Sequence, residues 1–282
     1  MEYHTIKETA NIHIFRNLSG DAPTFVKHAK TAAGIVENTR EFHNQTFLYH
    51  YTQGKEVGFD FLLPTFDGTS LVYPDISTTH DWLAADIQTA ADAQAFESYR
   101  QEMFTFLKWC LDIPYSDIPT EIRDDSDERR QLNWPRFETD VTYLLEHTLI
   151  TQTQAEQLHT YLKRHFDTRA FQHHDLVPWH IAKDKQTGRL TLVDSGWSGW
   201  SFRYYDIVYY TLQMVGQADN IDEAYACWDF AKKEFAHDPH YMEIISTPLS
   251  YRGVRFAAEL HRQNKLDTAQ QILSTMWSLF QR

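Results

Sequence analysis

Cysteine is nearly missing from this chain: Cys110 and Cys227 are the only two in 282 residues. Two thiols cannot build a disulfide framework, and such sparse usage fits a reducing compartment, so a cytoplasmic location is expected. No run of about 18 apolar residues occurs, so no membrane-spanning helix is expected. The first residues, Met1 to Thr5, show neither a basic stretch nor an apolar one, and no signal peptide is read there. Internal repeats and low-complexity tracts are also lacking. Positive charge is scarce, with 26 Lys and Arg against 39 Asp and Glu and a net charge of −13. Such a surface repels phosphate backbones, and no nucleic-acid partner is expected. What is present is a globular composition, 42% hydrophobic and 15% aromatic, which excludes global disorder.

The chain divides by its hydrophobic period. Up to residue 76 it reads mainly as short strands. Residues 11–16 alternate polar and apolar, residues 24–27 follow a turn at Gly20, Asp21 and Pro23, and residues 60–63 and 70–73 flank a turn at Phe66, Asp67 and Gly68. Between them, residues 35–51 hold no Gly or Pro and read as a helix. From about Thr79 the period becomes helical. Phe96, Tyr99, Met103, Phe106, Leu107 and Cys110 recur at steps of three or four, as do Val141, Leu144, Leu145 and Thr148, and Ile272, Leu273, Met276, Leu279 and Phe280. One strand signal interrupts this half, a hairpin of residues 180–183 and 189–193 turning at Gln186, Thr187 and Gly188. The expectation is an α+β protein of two lobes, 1–76 and 77–282.

Three aspartates stand at telling places around that hairpin. Asp175 precedes it, Asp194 follows it, and Asp206 lies in Arg203-Tyr204-Tyr205-Asp206-Ile207. A hairpin brings its two ends to one edge. Two carboxylates so placed suit phosphoryl transfer, one taking a hydroxyl proton and the other holding Mg²⁺ on nucleotide phosphates.

The segment from His173 to Asp206 resembles the catalytic core of the aminoglycoside phosphotransferases and choline-kinase-like small-molecule kinases. Their pattern is His-Gly-Asp, four residues, Asn, a hairpin, Asp-x-Gly and a Tyr-Asp pair. Here His173-His174-Asp175 matches the first element, Asp194-Ser195-Gly196 the metal-binding one, and Tyr205-Asp206-Ile207 the third. Only ten positions separate Gly196 from Asp206, short of a protein kinase's activation segment. The resemblance implies a protein-kinase-like fold with a small antiparallel-sheet lobe and a mostly helical one. It implies Asp175 as catalytic base, Asp194 as metal ligand, and His173 and Asp206 as supports of the catalytic loop. It further implies Lys27, within Phe25-Val26-Lys27-His28-Ala29-Lys30, as the lysine for the α- and β-phosphates. Glu41, 14 positions on, is its expected ion-pair partner, with Glu37 the alternative. The backbone of Tyr73, Asp75 and Ile76 would face the base of ATP or GTP, and a turn at Thr9, Ala10 and Asn11 would cover phosphates.

Two departures stand out. The family's loop asparagine is His180 here, and imidazole suits Mg²⁺ less well than an amide oxygen. The covering turn, residues 8–12, contains no glycine, which elsewhere lets backbone amides close on phosphate. The first reading is therefore a kinase moving the terminal phosphate of ATP or GTP to a hydroxyl of an aminoglycoside, amino-alcohol or sugar. The second is a nucleotide-binding pseudokinase without turnover, and a third is a metal-dependent hydrolase using His173, His174, Asp175 and His180. The acceptor pocket is expected from residues 79–169, where Asp81, Asp86, Trp82 and Trp134 offer charge and ring faces to a cation.

Overall fold

The computed structural model describes residues 3–18, 22–83 and 93–282. The chain forms two compact units, one of residues 1–106, 118–122 and 177–198, the other of residues 107–117, 123–176 and 199–282. The expected boundary after residue 76 falls inside the first unit. The change of hydrophobic period marks where helices begin, whereas compactness also returns the hairpin to the strand-rich unit.

In the first unit, β1 (Tyr3–Glu8), β2 (Ile12–Asn17), β3 (Thr24–Ala29), β5 (Thr65–Phe66) and β6 (Ser70–Pro74) form a sheet of order β1-β2-β3-β6-β5. Every pair in it is antiparallel. The strand expected at 60–63 does not join it. β4 (Phe59–Phe61) pairs in parallel with β10 (Leu190–Leu192) in a second sheet of order β4-β10-β9-β7, with β7 (His80–Trp82) and β9 (Ile181–Asp184). Pro64 lacks an N–H for a ladder and separates β4 from β5. The hairpin partner of β6 is thus the two-residue β5, with Phe66 opposite Leu71.

Helix α1 (Ala32–Thr52) follows β3. The Thr31 side chain caps it by accepting the Gly34 N–H at 3.2 Å. Its buried residues are largely polar: Asn38, Glu41, Asn44 and Gln45 recur at steps of three and four. Asn38 Nδ2 donates to the Lys27 and Thr69 carbonyls at 2.8 and 2.9 Å, tying α1 to β3. Glu41, three positions on, therefore faces the same strand. Gly34 is required where it stands, because a Cβ there would lie 2.3 Å from the Asn11 carbonyl oxygen.

Helix α2 (Ala93–Leu111) runs from the first unit into the second along the chain. The second unit is mostly helical, with α3 (Thr120–Glu146), α4 (Gln152–Arg164), α5 (Tyr205–Gly216), α6 (Ile221–Glu234), α7 (Tyr241–Arg262) and α8 (Leu266–Gln281). Its one sheet pairs β8 (Arg169–Gln172) with β11 (Gly199–Phe202), antiparallel and with Gly199 opposite Gln172. Ser126 of α3 accepts the Trp200 N–H at 3.0 Å, and only glycine at 199 leaves room, since a Cβ there would meet Ser126 Oγ at 2.4 Å. Among the described residues no helix is long and apolar enough to cross a membrane.

Candidate functional site

In the first unit the lysine of β3 meets two carboxylates. Lys27 is 8% exposed. Its Nζ donates to both oxygens of Glu41 at 2.7 Å and to Asp194 Oδ1 at 3.1 Å. Glu37 takes another partner, accepting from Asn11 Nδ2 at 2.9 Å. Tyr73 donates its hydroxyl to Glu41 Oε1 at 2.7 Å. Burial works against the Lys27 charge, but Asp194 and Glu41 overcome it and hold the ammonium above its ordinary pKa. Burial likewise lifts the Tyr73 phenol, with Glu41 adding to it, so Tyr73 acts as a donor.

Asp194 sits at φ 63°, before a 3-10 turn of Ser195–Trp197. Polar residues of α1 hold that turn. Asn44 Nδ2 donates to the Ser195 and Ser198 carbonyls at 2.9 and 3.0 Å, and Ser195 Oγ donates to Gln45 Oε1. The strained backbone at Asp194 is thus fixed from outside. His180 ends a second 3-10 turn, Pro178–His180, with Nε2 3.6 Å from Asp194 Oδ2. Asp194, its side chain 38% exposed, and His180 offer an oxygen and a nitrogen to a cation. A hard divalent ion held by one carboxylate and substrate phosphates fits such a donor set.

Tyr73, Asp75 and Ile76 lie at and just after the end of β6. Asp75 accepts from Arg16 Nε at 2.7 Å and from the Ser77 N–H at 2.9 Å. Ile76 gives its carbonyl to the N–H groups of Thr79 and His80 at 3.0 and 2.8 Å. The Thr9–Asn11 turn packs on Gly34 and hands the Asn11 carbonyl to the Lys30 N–H at 2.7 Å.

In the second unit the β8–β11 pair sets the loop after β8 beside the start of α5. Asp206, fully buried, accepts the His173 and His174 N–H groups, each at 2.6 Å. Its own N–H goes to Gln172 Oε1 at 3.0 Å. Burial lifts the Asp206 carboxyl to about 7 against those two amides, and Asp175 adds to the rise. His174 stands at φ 70° and lies against Tyr205, centroids 4.5 Å apart. The family pattern has glycine here, the residue that adopts this left-handed backbone without strain. Burial first, then Arg129, His173, Arg169 and Arg252, hold His174 well below the ordinary histidine pKa, so its ring is neutral. Asp175 Oδ1 accepts the Tyr209 hydroxyl at 2.7 Å.

Sequence reasoning missed Tyr209, Asn38, Asn44 and Gln45. Helical spacing held the signal: Tyr209 is three positions after Asp206, and Asn38 and Asn44 lie three either side of Glu41. Of the residues read as a cation pocket, Asp81 pairs with Lys185 at 3.4 Å. Trp82 is 39% exposed, Lys163 lies over the Trp134 ring at 5.6 Å, and Asp86 falls outside the described residues.

No protein-family model matches the chain, and no curated protein matches it by sequence. Solved structures do match. The GDP complex of an aminoglycoside 2′-phosphotransferase variant aligns over 99% of this chain and 91% of its own, with a TM-score of 0.60 at 17% identity. The fold is that of the aminoglycoside phosphotransferases. Ethanolamine kinase of Plasmodium vivax matches over 98% of this chain and 81% of its own, with a TM-score of 0.62 at 12% identity. An aminoglycoside phosphotransferase bound to AMP-PNP and hygromycin B covers 99% of this chain and 93% of its own, with a TM-score of 0.59 at 10% identity. The chain is thus α+β and kinase-like, as the motif order implies.

Proposed function

We propose that the chain is a nucleotide-dependent phosphotransferase acting on a hydroxyl of a small molecule. One observation carries this reading: a buried lysine held by Glu41 on one side and reaching Asp194 on the other, at 2.7 and 3.1 Å. A fold needs no such buried charge cluster for stability, whereas phosphate binding does need a fixed cation.

In this reading residues 1–76 carry the nucleotide side and 77–282 the acceptor side. Lys27 clamps the α- and β-phosphates, and Glu41 and Tyr73 fix Lys27. The backbone of Tyr73, Asp75 and Ile76 borders the base, and the turn with Asn11 closes over phosphate. Asp194, with His180 beside it, would hold Mg²⁺, which supplies charge neutralisation to the phosphates when bound. Asp175 accepts the proton of the acceptor hydroxyl as its oxygen bonds to the terminal phosphorus, and the bond to the bridging oxygen breaks to release the nucleoside diphosphate. Tyr209 orients Asp175. His173 and Asp206 hold the loop that carries it. Residence in the cytoplasm belongs to the same proposal, supported by two free cysteines, both buried.

The test is calorimetric titration of ATP and of GTP, with and without Mg²⁺, into wild type and Asp194→Asn. Binding that needs both Mg²⁺ and Asp194 supports the assignment; full phosphoryl transfer by Asp194→Ala would sink it. His180, in place of asparagine and 3.6 Å from Asp194, favours a second reading, nucleotide binding without turnover. That reading falls if any acceptor is phosphorylated at about 1 to 100 per second.

A further inference from the structure

The loop bearing Asp175 lies among arginines. Arg252 of α7 stacks over the Tyr209 ring at 4.8 Å and over Phe256 at 4.7 Å, and Tyr209 is the residue that holds Asp175. Arg169 of β8 lies over Phe202 at 4.4 Å and Phe166 at 5.1 Å. All three guanidinium nitrogens of Arg169 are buried, and none hydrogen-bonds to any described residue; Nε of Arg252 shares that condition. Arg129 comes from α3, which Ser126 fastens to β11, and it pairs with Asp125 at 2.8 Å. The charges of Arg129, Arg169 and Arg252 all reach His174, the neighbour of Asp175.

The negative charge facing these groups is largely committed. Asp167 and Asp127, the carboxylates that act on Arg169, are engaged by Arg130 and by the Tyr115 hydroxyl. Asp206 is taken by two backbone amides, Asp125 by Arg129, and Asp175 by Tyr209. Burial and the nearby Arg130 depress the Arg169 guanidinium to about 10, and Asp167 and Asp127 offset only part of that fall. Ring faces stabilise a guanidinium but leave its in-plane donors unused. A planar or tetrahedral oxyanion satisfies them with paired charge-assisted bonds. A cationic acceptor would instead meet like charge in a poorly screened place. This positive patch stands in a chain of net charge −13, so general attraction for anions does not explain it.

We propose that the acceptor carries an oxyanion, a carboxylate or a phosphate, seated on Arg169 and Arg252 while its hydroxyl faces Asp175. The inference rests on the phosphotransferase reading for the hydroxyl and on the second unit alone for the anion. It sets this chain apart from kinases of amines.

The first test uses inorganic sulfate on the full chain without nucleotide, against sodium chloride at equal ionic strength, read by thermal shift. Wild type should bind sulfate saturably. Arg252→Gln should raise the sulfate Kd about tenfold, as loss of one charge-assisted bond does, and Arg252→Lys should recover part of it. Arg169→Gln should do the same; because Arg169 packs on two rings, Arg252→Gln decides alone if that variant does not fold. An equal sulfate response in wild type and Arg252→Gln overturns the proposal and leaves the arginines as packing groups. The second test supplies ATP and Mg²⁺ with four three-carbon acceptors: glycerate, glycerol phosphate, glycerol and the amine serinol. One of the two anions should lead in kcat/KM by about tenfold, which identifies the oxyanion, and Arg252→Gln should erase the lead through KM. A lead for serinol overturns the proposal. A chain that binds sulfate as expected but no Mg²⁺–nucleotide would remove the phosphotransferase reading and not the anion site.

Discussion

Lys27 gains most of its placement from charges it could not survive without. Its ammonium is buried, and so are Glu41 and the Tyr73 hydroxyl that bonds it. Replacing Lys27 by Met leaves a buried carboxylate with no cation, a loss of about 3–5 kcal/mol for a broken buried pair. Replacing both partners, Lys27→Met with Glu41→Leu, should recover most of that stability in urea denaturation while nucleotide binding stays lost. A double variant as unstable as the single one would mean that packing, not the ion pair, sets the cost. His174 gives a second residue-scale expectation. Its folded pKa lies below its unfolded one, so its contribution is intact above about pH 6.5 and is lost as the pH falls and the unfolded chain takes up the proton first. His174→Gly, which also suits φ 70°, should fold and lose less stability between about pH 6.5 and 5 than wild type. Matching slopes in denaturation at those two pH values would contradict this. Asp206 works the other way, since a carboxyl raised to about 7 favours the fold at low pH and loses that benefit as pH rises through that value. The His174 comparison must therefore be made with Asp206 intact.

Helix α1 shows what a sequence conveys about an element and what it hides. Its existence follows from a run free of Gly and Pro, and the structure extends it to Ala32–Thr52. Its orientation was legible only through Lys27 and the 14-position step to Glu41. The usual apolar stripe is weak because Asn38, Glu41, Asn44 and Gln45 occupy the buried face, where they bond backbone carbonyls that no side-chain pattern reveals. The strands divide similarly. The β9–β10 hairpin was readable from its Gly188 turn. β8 and β11 were not, because each is four residues long and mostly buried on both sides, without alternation. The parallel partner of β4 lies about 130 positions away, as Leu190 opposite Phe59 shows, and local pattern carries no such information. Gly34 looks like an ordinary helix glycine, where Ala would normally help by about 1 kcal/mol. The 2.3 Å approach of Asn11 reverses the sign. Gly34→Ala should destabilise by about 1–3 kcal/mol, as overpacking does, and a stabilised variant in chemical denaturation would show that the turn moves away freely.

Across the whole chain, charge acts at two ranges with opposite demands on salt. The net charge of −13 repels itself, and screening that repulsion favours the folded state. Ion pairs act oppositely, since salt weakens them. The buried Lys27–Glu41 pair and the half-buried Arg16–Asp75 pair are partly shielded from ions, and exposed ones such as Arg189 with Asp60 contribute little. The repulsion should therefore dominate at pH 8. Raising sodium chloride from about 0.05 to 0.5 M, which shortens the screening length several-fold, should raise Tm by a few degrees, equivalent to about 1 kcal/mol. Near pH 5.5, where the net charge vanishes, the same salt step should leave Tm flat or lower it as only the pairs remain. Scanning calorimetry at both pH values separates the terms. A Tm that falls with salt at pH 8 would mean that paired charges outweigh the acidic surface. The stability of this chain would then rest on its local pairs, the cluster at Lys27 foremost, rather than being held down by its overall charge.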